Sequence, residues 1–106
     1  MENLVILVGH LGADPELRHT NNGVPVANFD MATTDKWADK TNGEKREHTE
    51  WHRVEVWKNL GKACADNLKK GSKVYVRGAL RNKSWETDQG EKRSTKVIRA
   101  ERIKFL

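Results

Sequence analysis

Aromatic and charged side chains alternate along a segment near the middle of the chain. The alternating positions are Trp51, Arg53, Glu55 and Trp57. In a β-strand, residues two apart project from the same face, so these side chains would share one surface while Val54 and Val56 occupy the other. Indole rings stack on planar groups, and guanidinium groups bind anionic oxygens. This pattern is therefore suited to a ligand that is both aromatic and anionic.

A second segment repeats the arrangement. Val74, Val76 and Leu80 share one parity and are predicted to point inward. The opposite parity, provided that no bulge intervenes, holds Tyr75, Arg77, Arg81, Lys83 and Trp85. Single-stranded nucleic acid fits such surfaces, because bases stack on indoles for about 1–3 kcal/mol each while cations neutralise the backbone. Stacking requires no contact with base edges, so the predicted binding is independent of base sequence.

Burial in the core is the alternative for any single tryptophan, and a solvated charged surface is the alternative for the cations. Three indoles on the non-aliphatic parity of two strands favour a binding surface. Trp37 lies in a polar stretch where alternation does not place it. The cations next to a tryptophan are predicted to bind phosphates: Arg53, Lys58, Arg81 and Lys83. The others in the second half are interpreted as a general positive field: Lys92, Arg93, Lys96, Arg99, Arg102 and Lys104.

Catalytic and metal-binding interpretations have less support. The only cysteine, Cys64, lies on the apolar stripe of a predicted helix, so a small buried hydrophobic residue is favoured over a nucleophile. His48 and His52 share a strand face, but a structural zinc site needs two further ligands. No nucleophile elbow or phosphate-binding loop is present. We expect a protein that is not an enzyme, with no cofactor and no metal.

The elements that position these residues follow from hydrophobic periodicity. Five strands are predicted over residues 4–8, 26–34, 49–57, 73–85 and 96–105, the first of them buried, and a helix over 59–69. Residues 35–50 are polar and charged, with Gly43 among them, and are predicted to be a long exposed hairpin connection. Five strands with a helix between the third and fourth predict a mainly β protein, an OB-fold barrel that forms one domain over residues 1–106.

Charge is divided unevenly along the 106 residues. The net charge is +5, but residues 1–50 hold five Lys and Arg against nine Asp and Glu, whereas residues 51–106 hold fifteen against six. Three of the four tryptophans lie in the basic half, which suits a polyanionic partner. The apolar run at residues 4–8 is too short for a signal peptide or a membrane span, so we expect a cytoplasmic protein without a membrane partner.

Together these segments resemble the single-stranded DNA-binding proteins of bacteria. The most specific segment is TEWHRV at residues 49–54, and it is joined by LGADPELR at 11–18, VANF at 26–29 and KGSKVYV at 70–76. Isolated matches are Gly78, Leu80, Arg81 and Trp85. The resemblance covers essentially the whole chain in order, and the combination is far more specific than any single piece.

The resemblance implies roles for particular residues. It assigns base stacking to Trp37, Trp51, Trp57 and Trp85, and phosphate contacts to Lys40, Arg53, Lys70, Arg81 and Lys83. His52 and Tyr75 are expected at a subunit interface, because the family usually forms homotetramers around which DNA wraps. Lys58 stands where the best-known members carry glycine.

The resemblance also implies a role in replication, recombination and repair, with association with the nucleoid. Family members carry a linker and an acidic tail that recruits other proteins, whereas this sequence stops at Leu106. We therefore expect a short form without linker, tail or tail-mediated partners. The alternative is a tail-less OB-fold adaptor in replication restart, which has little reason to keep four tryptophans beside cations.

Overall fold

The computed structural model describes all 106 residues and contains six strands and one helix. The strands are β1 (Val5–Leu11), β2 (Glu16–His19), β3 (Pro25–Ala38), β4 (Lys45–Trp57), β5 (Lys73–Glu86) and β6 (Lys92–Phe105). Helix α1 covers Lys58–Asn67. No helix is long and apolar enough to cross a membrane.

Five of the strands close into a barrel. Their order is β1-β5-β6-β4-β3, and β1 pairs with β3 to complete the ring. The closing pairs are only His10 with Ala32 and Leu11 with Met31. All neighbours are antiparallel except β4 and β6, which pair in parallel where Val54 lies beside Ile98. The prediction of a mainly β, five-stranded barrel with one helix is confirmed.

The position predicted for the helix, between the third and fourth strands, was wrong. Helix α1 follows β4, because the short strand β2 precedes β3 in a segment where no strand was predicted. All four residues of β2 are exposed, so it shows no alternation of apolar and polar side chains. It is held by antiparallel pairing with the first half of β3 and lies outside the closed ring.

The core fills the barrel beneath helix α1. Its largest fully buried side chains are Met31, Val54, Val56, Val74, Val76 and Cys64. The alternation predicted for β4 and β5 is therefore correct for their valines, and the thiol of Cys64 is buried as predicted. Burial raises the pKa of Cys64 to about 11, so its thiol stays protonated at neutral pH.

Two hairpins extend beyond the barrel as arms. The first arm comprises residues 34–49 and the second comprises residues 81–96, and nearly all of their side chains are exposed. The long exposed hairpin connection predicted over residues 35–50 is present, and most of it is paired strand. Because of the arms, the radius of gyration is 16.2 Å, against about 13 Å for a compact chain of this length.

A bulge separates the barrel part of the β5–β6 pair from the second arm. Arg77 pairs with Arg102 but Gly78 pairs with Ala100, so the extra residue, Glu101, belongs to β6. The alternation of β5 therefore continues without interruption. Leu80 has the inward parity that was predicted, but it is 42% exposed because the barrel ends there.

Strand β1 was predicted to be buried, but one of its two faces is exposed. Leu4, Ile6 and Val8 are 56%, 53% and 47% exposed. Val8 lies opposite Tyr75 on the outer surface of the barrel. A continuous aliphatic run therefore has one face in the core and one face in solvent in this chain.

Candidate nucleic-acid interface

Strand pairing collects most of the predicted site residues on one outer surface. On β4 this surface carries Trp51, Arg53, Glu55 and Trp57, on β5 it carries Arg81, Lys83 and Trp85, and on β6 it carries Arg99, which pairs with Glu55. We call the surface formed by Trp51, Arg53, Trp57, Arg81, Lys83, Trp85 and Arg99 the Trp face. Trp51 and Trp85 remain 60% and 50% exposed, although indoles are usually well buried.

Glu55 is a buried carboxylate within this face. Its side chain is only 5% exposed, and it accepts a hydrogen bond of 2.6 Å from the indole Nε1 of Trp57. Lys83 Nζ lies 3.3 Å from one carboxylate oxygen, and the guanidinium of Arg99 lies 3.4 Å from the other. Burial acts to raise the pKa of Glu55, but the hydrogen bonds from Trp57 and Lys83 and the nearby positive charges outweigh it, so the pKa is lowered.

Trp57 is half-buried and also contacts Arg99. The guanidinium carbon lies 5.1 Å from the centre of the indole ring, within the range of a cation–π interaction. One side of the indole is thus next to a cation, and its nitrogen is fixed by Glu55. Trp57, Glu55 and Lys83 line a shallow groove together with Arg18 and His19 of β2.

Trp51 lies against a glycine rather than in a pocket. A β-carbon placed on Gly12 would come within 2.5 Å of the indole six-membered ring, so the ring packs directly over the backbone there. The next outward residue of β4, Arg53, is 3.7 Å from the carboxylate of Asp30 on β3. This exposed pair is weak and leaves the guanidinium available to a phosphate.

The remaining tryptophans lie on the arms. Trp85 is directly opposite Arg93 in the second arm, and Trp37 is directly opposite Arg46 in the first arm. Trp37 shares the parity of Met31, whereas Trp51 lies opposite Ala32 and has the other parity. Trp37 therefore projects from the opposite face of its arm, and the structure does not bring it together with the Trp face.

The other predicted phosphate ligands are dispersed. Lys40 is exposed in the turn at the tip of the first arm. Lys70 follows helix α1, and its backbone N–H donates to the carboxylate of Asp14, 2.8 Å away, close to the Gly12 that supports Trp51. Lys58 is adjacent to Trp57 and is the only non-glycine residue with a positive φ, at 62°.

The two residues predicted at a subunit interface, Tyr75 and His52, lie away from the Trp face. Tyr75 is half-buried beside Val8, with Lys104 Nζ 6.0 Å from its ring centre. His52 has the inward parity of β4 and is 2.8 Å from the hydroxyl of Thr33. His48 hydrogen-bonds to Glu50, which raises the pKa of His48. No group of three or more His, Cys, Asp or Glu side chains lies close enough together to hold a metal ion.

Three cations near the indoles were not predicted from the sequence to be site residues. Arg93 and Arg99 were interpreted as general positive field, and Arg18 was not considered. Pairing about the turn at Gln89 would have placed Arg93 opposite Trp85. The contact of Arg99 with Glu55 could not be predicted from the local sequence, because it depends on the parallel pairing of β4 with β6.

Substitution of Gly12 tests the support of Trp51. We expect Gly12→Ala to displace the indole, because the added methyl group would overlap the ring. Binding to an oligo(dT) strand should weaken by up to the roughly 1–3 kcal/mol that stacking on one indole contributes. Fluorescence anisotropy of a labelled oligonucleotide measures this loss, and thermal unfolding should change little because the ring can move into solvent. Unchanged binding would mean that the position of Trp51 is unimportant.

The left-handed backbone at Lys58 explains why glycine suits this position. Left-handed backbone costs a residue with a side chain about 1–2 kcal/mol, and part of the gain from glycine is offset by a more flexible unfolded chain. We expect Lys58→Gly to stabilise the protein by about 0.5–1 kcal/mol in urea unfolding. Lys58→Ala keeps the unfavourable φ and should give no such gain, so equal stability of the two variants would contradict the explanation.

A closed five-stranded barrel with exposed indoles and cations on one outer surface defines an OB-fold of the kind that binds single-stranded nucleic acid. The model of the single-strand binding protein family matches residues 2–106, and the chain belongs to this family.

Similar proteins support this assignment. The chain is 45% identical over 104 residues to a protein of Xylella fastidiosa named single-stranded DNA-binding protein 1, covering 98% of this chain and 76% of that relative. Its fold matches the Plasmodium falciparum SSB in a complex with ssDNA, with a TM-score of 0.86, 31% identity and coverage of 100% and 96%. A deletion mutant of the Thermus aquaticus single-stranded DNA-binding protein matches with a TM-score of 0.83, 36% identity and coverage of 99% and 50%.

Proposed function

We propose that the protein binds single-stranded DNA through the Trp face, without regard to base sequence. The observation that carries the proposal is the pair of exposed indoles, Trp51 and Trp85, on a surface shared with the half-buried Trp57 and four cations. Bases stack on the indoles, and Arg53, Arg81 and Lys83 contact the phosphates between them. Trp37, Lys40, Lys58 and Lys70 extend the contact beyond this face.

Binding of this kind is passive. Each stacked base gains about 1–3 kcal/mol, and each phosphate contact releases a counterion, so affinity falls as salt rises. In duplex DNA the base faces are stacked on one another, so they are not available to stack on the indoles. The protein thereby holds strands open and shields them during replication, recombination and repair, in the cytoplasm and at the nucleoid.

We also propose that the protein is a homotetramer. The exposed aliphatic side chains of β1, Ile6 and Val8, adjoin Tyr75 on the outside of the barrel, where an isolated subunit would leave them in water. A second subunit that covers this strip removes the apolar surface. His52 and Tyr75 contact neighbouring subunits. Sedimentation velocity should show a tetramer that dissociates in the Ile6→Glu, Val8→Glu double variant, and a monomeric parent chain would contradict the proposal.

Titration of the intrinsic tryptophan fluorescence with oligo(dT) tests the binding proposal. Strong quenching at low salt, a weaker affinity at high salt, and little response to duplex DNA are the expected results. A protein that is not quenched, or that responds equally to duplex DNA, would overturn the proposal.

A further inference from the structure

Glu55 is out of place on a surface that binds a polyanion. It is the only acidic residue of β4 that is buried, and it lies on the same parity as Trp51, Arg53 and Trp57. A buried carboxylate is stable only when its desolvation is offset by hydrogen bonds and opposite charges. Glu55 has both, because Trp57, Lys83 and Arg99 all contact it.

These contacts join three different strands. Trp57 lies on the same strand as Glu55, Lys83 comes from the second arm, and Arg99 comes from β6. The indole nitrogen and the guanidinium meet the same carboxylate oxygen, Oε1, while the ammonium group meets Oε2. The carboxylate thus sets the direction of one aromatic ring and of two cations. Lys83 and Arg99 remain 50% and 45% exposed, so both can still reach a ligand in solvent.

From these contacts we propose that Glu55 is a positioning residue for single-stranded DNA. It fixes the Trp57 indole for stacking and prearranges Lys83 and Arg99, while its charge limits how strongly the two cations attract phosphates. The inference rests on the proposed function, since it concerns the same surface. The lowered pKa of Glu55 agrees with it, because the carboxylate stays ionised at neutral pH.

Two substitutions separate the two parts of the role. Glu55→Gln retains an oxygen that accepts from Trp57 but removes the charge. Glu55→Met removes both the acceptor and the charge while filling a similar volume. Asp66→Asn is the matched control, because Asp66 is exposed on α1, forms no salt bridge, and its replacement changes the net charge by the same amount.

The first measurement uses the protein without DNA. The indole N–H proton of Trp57 should give a hydrogen-bonded NMR resonance in the parent protein and in Glu55→Gln. In Glu55→Met it should shift to the position of a solvent-exposed indole. An unshifted resonance in a folded Glu55→Met protein would overturn the positioning of Trp57, whatever the protein binds.

The second measurement is the salt dependence of oligo(dT) binding. Glu55→Gln should bind about three- to ten-fold more tightly at low salt, with a slope of log K against log salt steeper by about 0.7 for each added phosphate contact. Asp66→Asn should match the parent. If Glu55→Gln shows the parent slope and affinity, the attenuating charge is refuted while the binding function stands. If the parent protein itself does not bind, the proposed function fails.

Circular dichroism establishes that each variant is folded. Should both Glu55 variants unfold, Arg99→Gln provides the test, since it leaves the carboxylate and its bond to Trp57 in place. For Arg99→Gln, the slope of log K for oligo(dT) against log salt should be less steep by about 0.7, the contribution of one phosphate contact. An unchanged slope in Arg99→Gln would overturn the inference.

Discussion

Replacing Trp51 and Trp85 together by alanine should raise the Kd for oligo(dT) at least thirty-fold. Stacking of a base on one indole is worth about 1–3 kcal/mol, and the two indoles lie on different strands, so the proposed contributions should add to about 2–6 kcal/mol. Both side chains are at least half exposed, and their removal should leave the core intact. Anisotropy of a fluorescein-labelled oligonucleotide measures the loss without depending on intrinsic fluorescence.

The matched control is the Trp51→Phe, Trp85→Phe double variant, which keeps two aromatic faces. It should recover most of the affinity, whereas a loss of charge or of folding would not be repaired by phenylalanine. If the alanine variant is folded and binds as tightly as the parent, the Trp face is not the DNA site. The exposed indoles would then serve a protein partner, as in an adaptor.

The second large effect is expected where β1 and β3 pair to close the barrel. A β-carbon on Gly9 would lie 2.1 Å from the carbonyl oxygen of Ala32, and this close approach is next to the only two pairs that join β1 to β3. Gly9→Ala should force the two strands apart and destabilise the protein by about 3 kcal/mol, which lowers the melting temperature by roughly 10–20 °C. Differential scanning calorimetry measures this change.

Gly23→Ala is the control for that experiment. Gly23 has a φ of 82° but no atom within 4 Å of an added β-carbon, so alanine there is disfavoured only by its left-handed backbone, at about 1 kcal/mol. If Gly9→Ala is no less stable than Gly23→Ala, β1 and β3 can move apart at Gly9 without loss of stability. The close approach of these two strands would then be unimportant for the stability of the barrel.

The barrel was predictable because its strands alternate clearly. Val54, Val56, Val74 and Val76 mark the inward face of β4 and β5, and the structure buries all four. Strand β2 was not predictable, since Leu17 is its only apolar residue and even that side chain is exposed. The strands of the first arm were not predicted for the same physical reason, because both of its faces contact solvent and need no apolar pattern. The strands predicted over 73–85 and 96–105 already contain much of the second arm.

The Trp face was predictable within each strand but not between strands. Parity alone placed Trp51, Arg53 and Trp57 together, and the structure agrees. The face of Trp37 depends on the full register of the first arm, which only the paired structure supplies. The meeting of Lys83 and Arg99 at Glu55 depends on how three strands come together, and the linear sequence holds no local sign of it.

The two arms divide the protein into regions of unequal local stability. A two-stranded hairpin without a buried face is only marginally stable in water, so the arms should open far more often than the barrel and exchange their amide protons faster. Trp37 and Trp85 lie on these arms, whereas Trp51 and Trp57 are at the barrel. A bound strand that engages the arms must therefore restrict their motion, and that entropic cost reduces the net affinity gained from the outer two indoles. Oligonucleotides too short to reach beyond the barrel avoid this cost, so affinity per nucleotide should fall as the strand lengthens onto the arms.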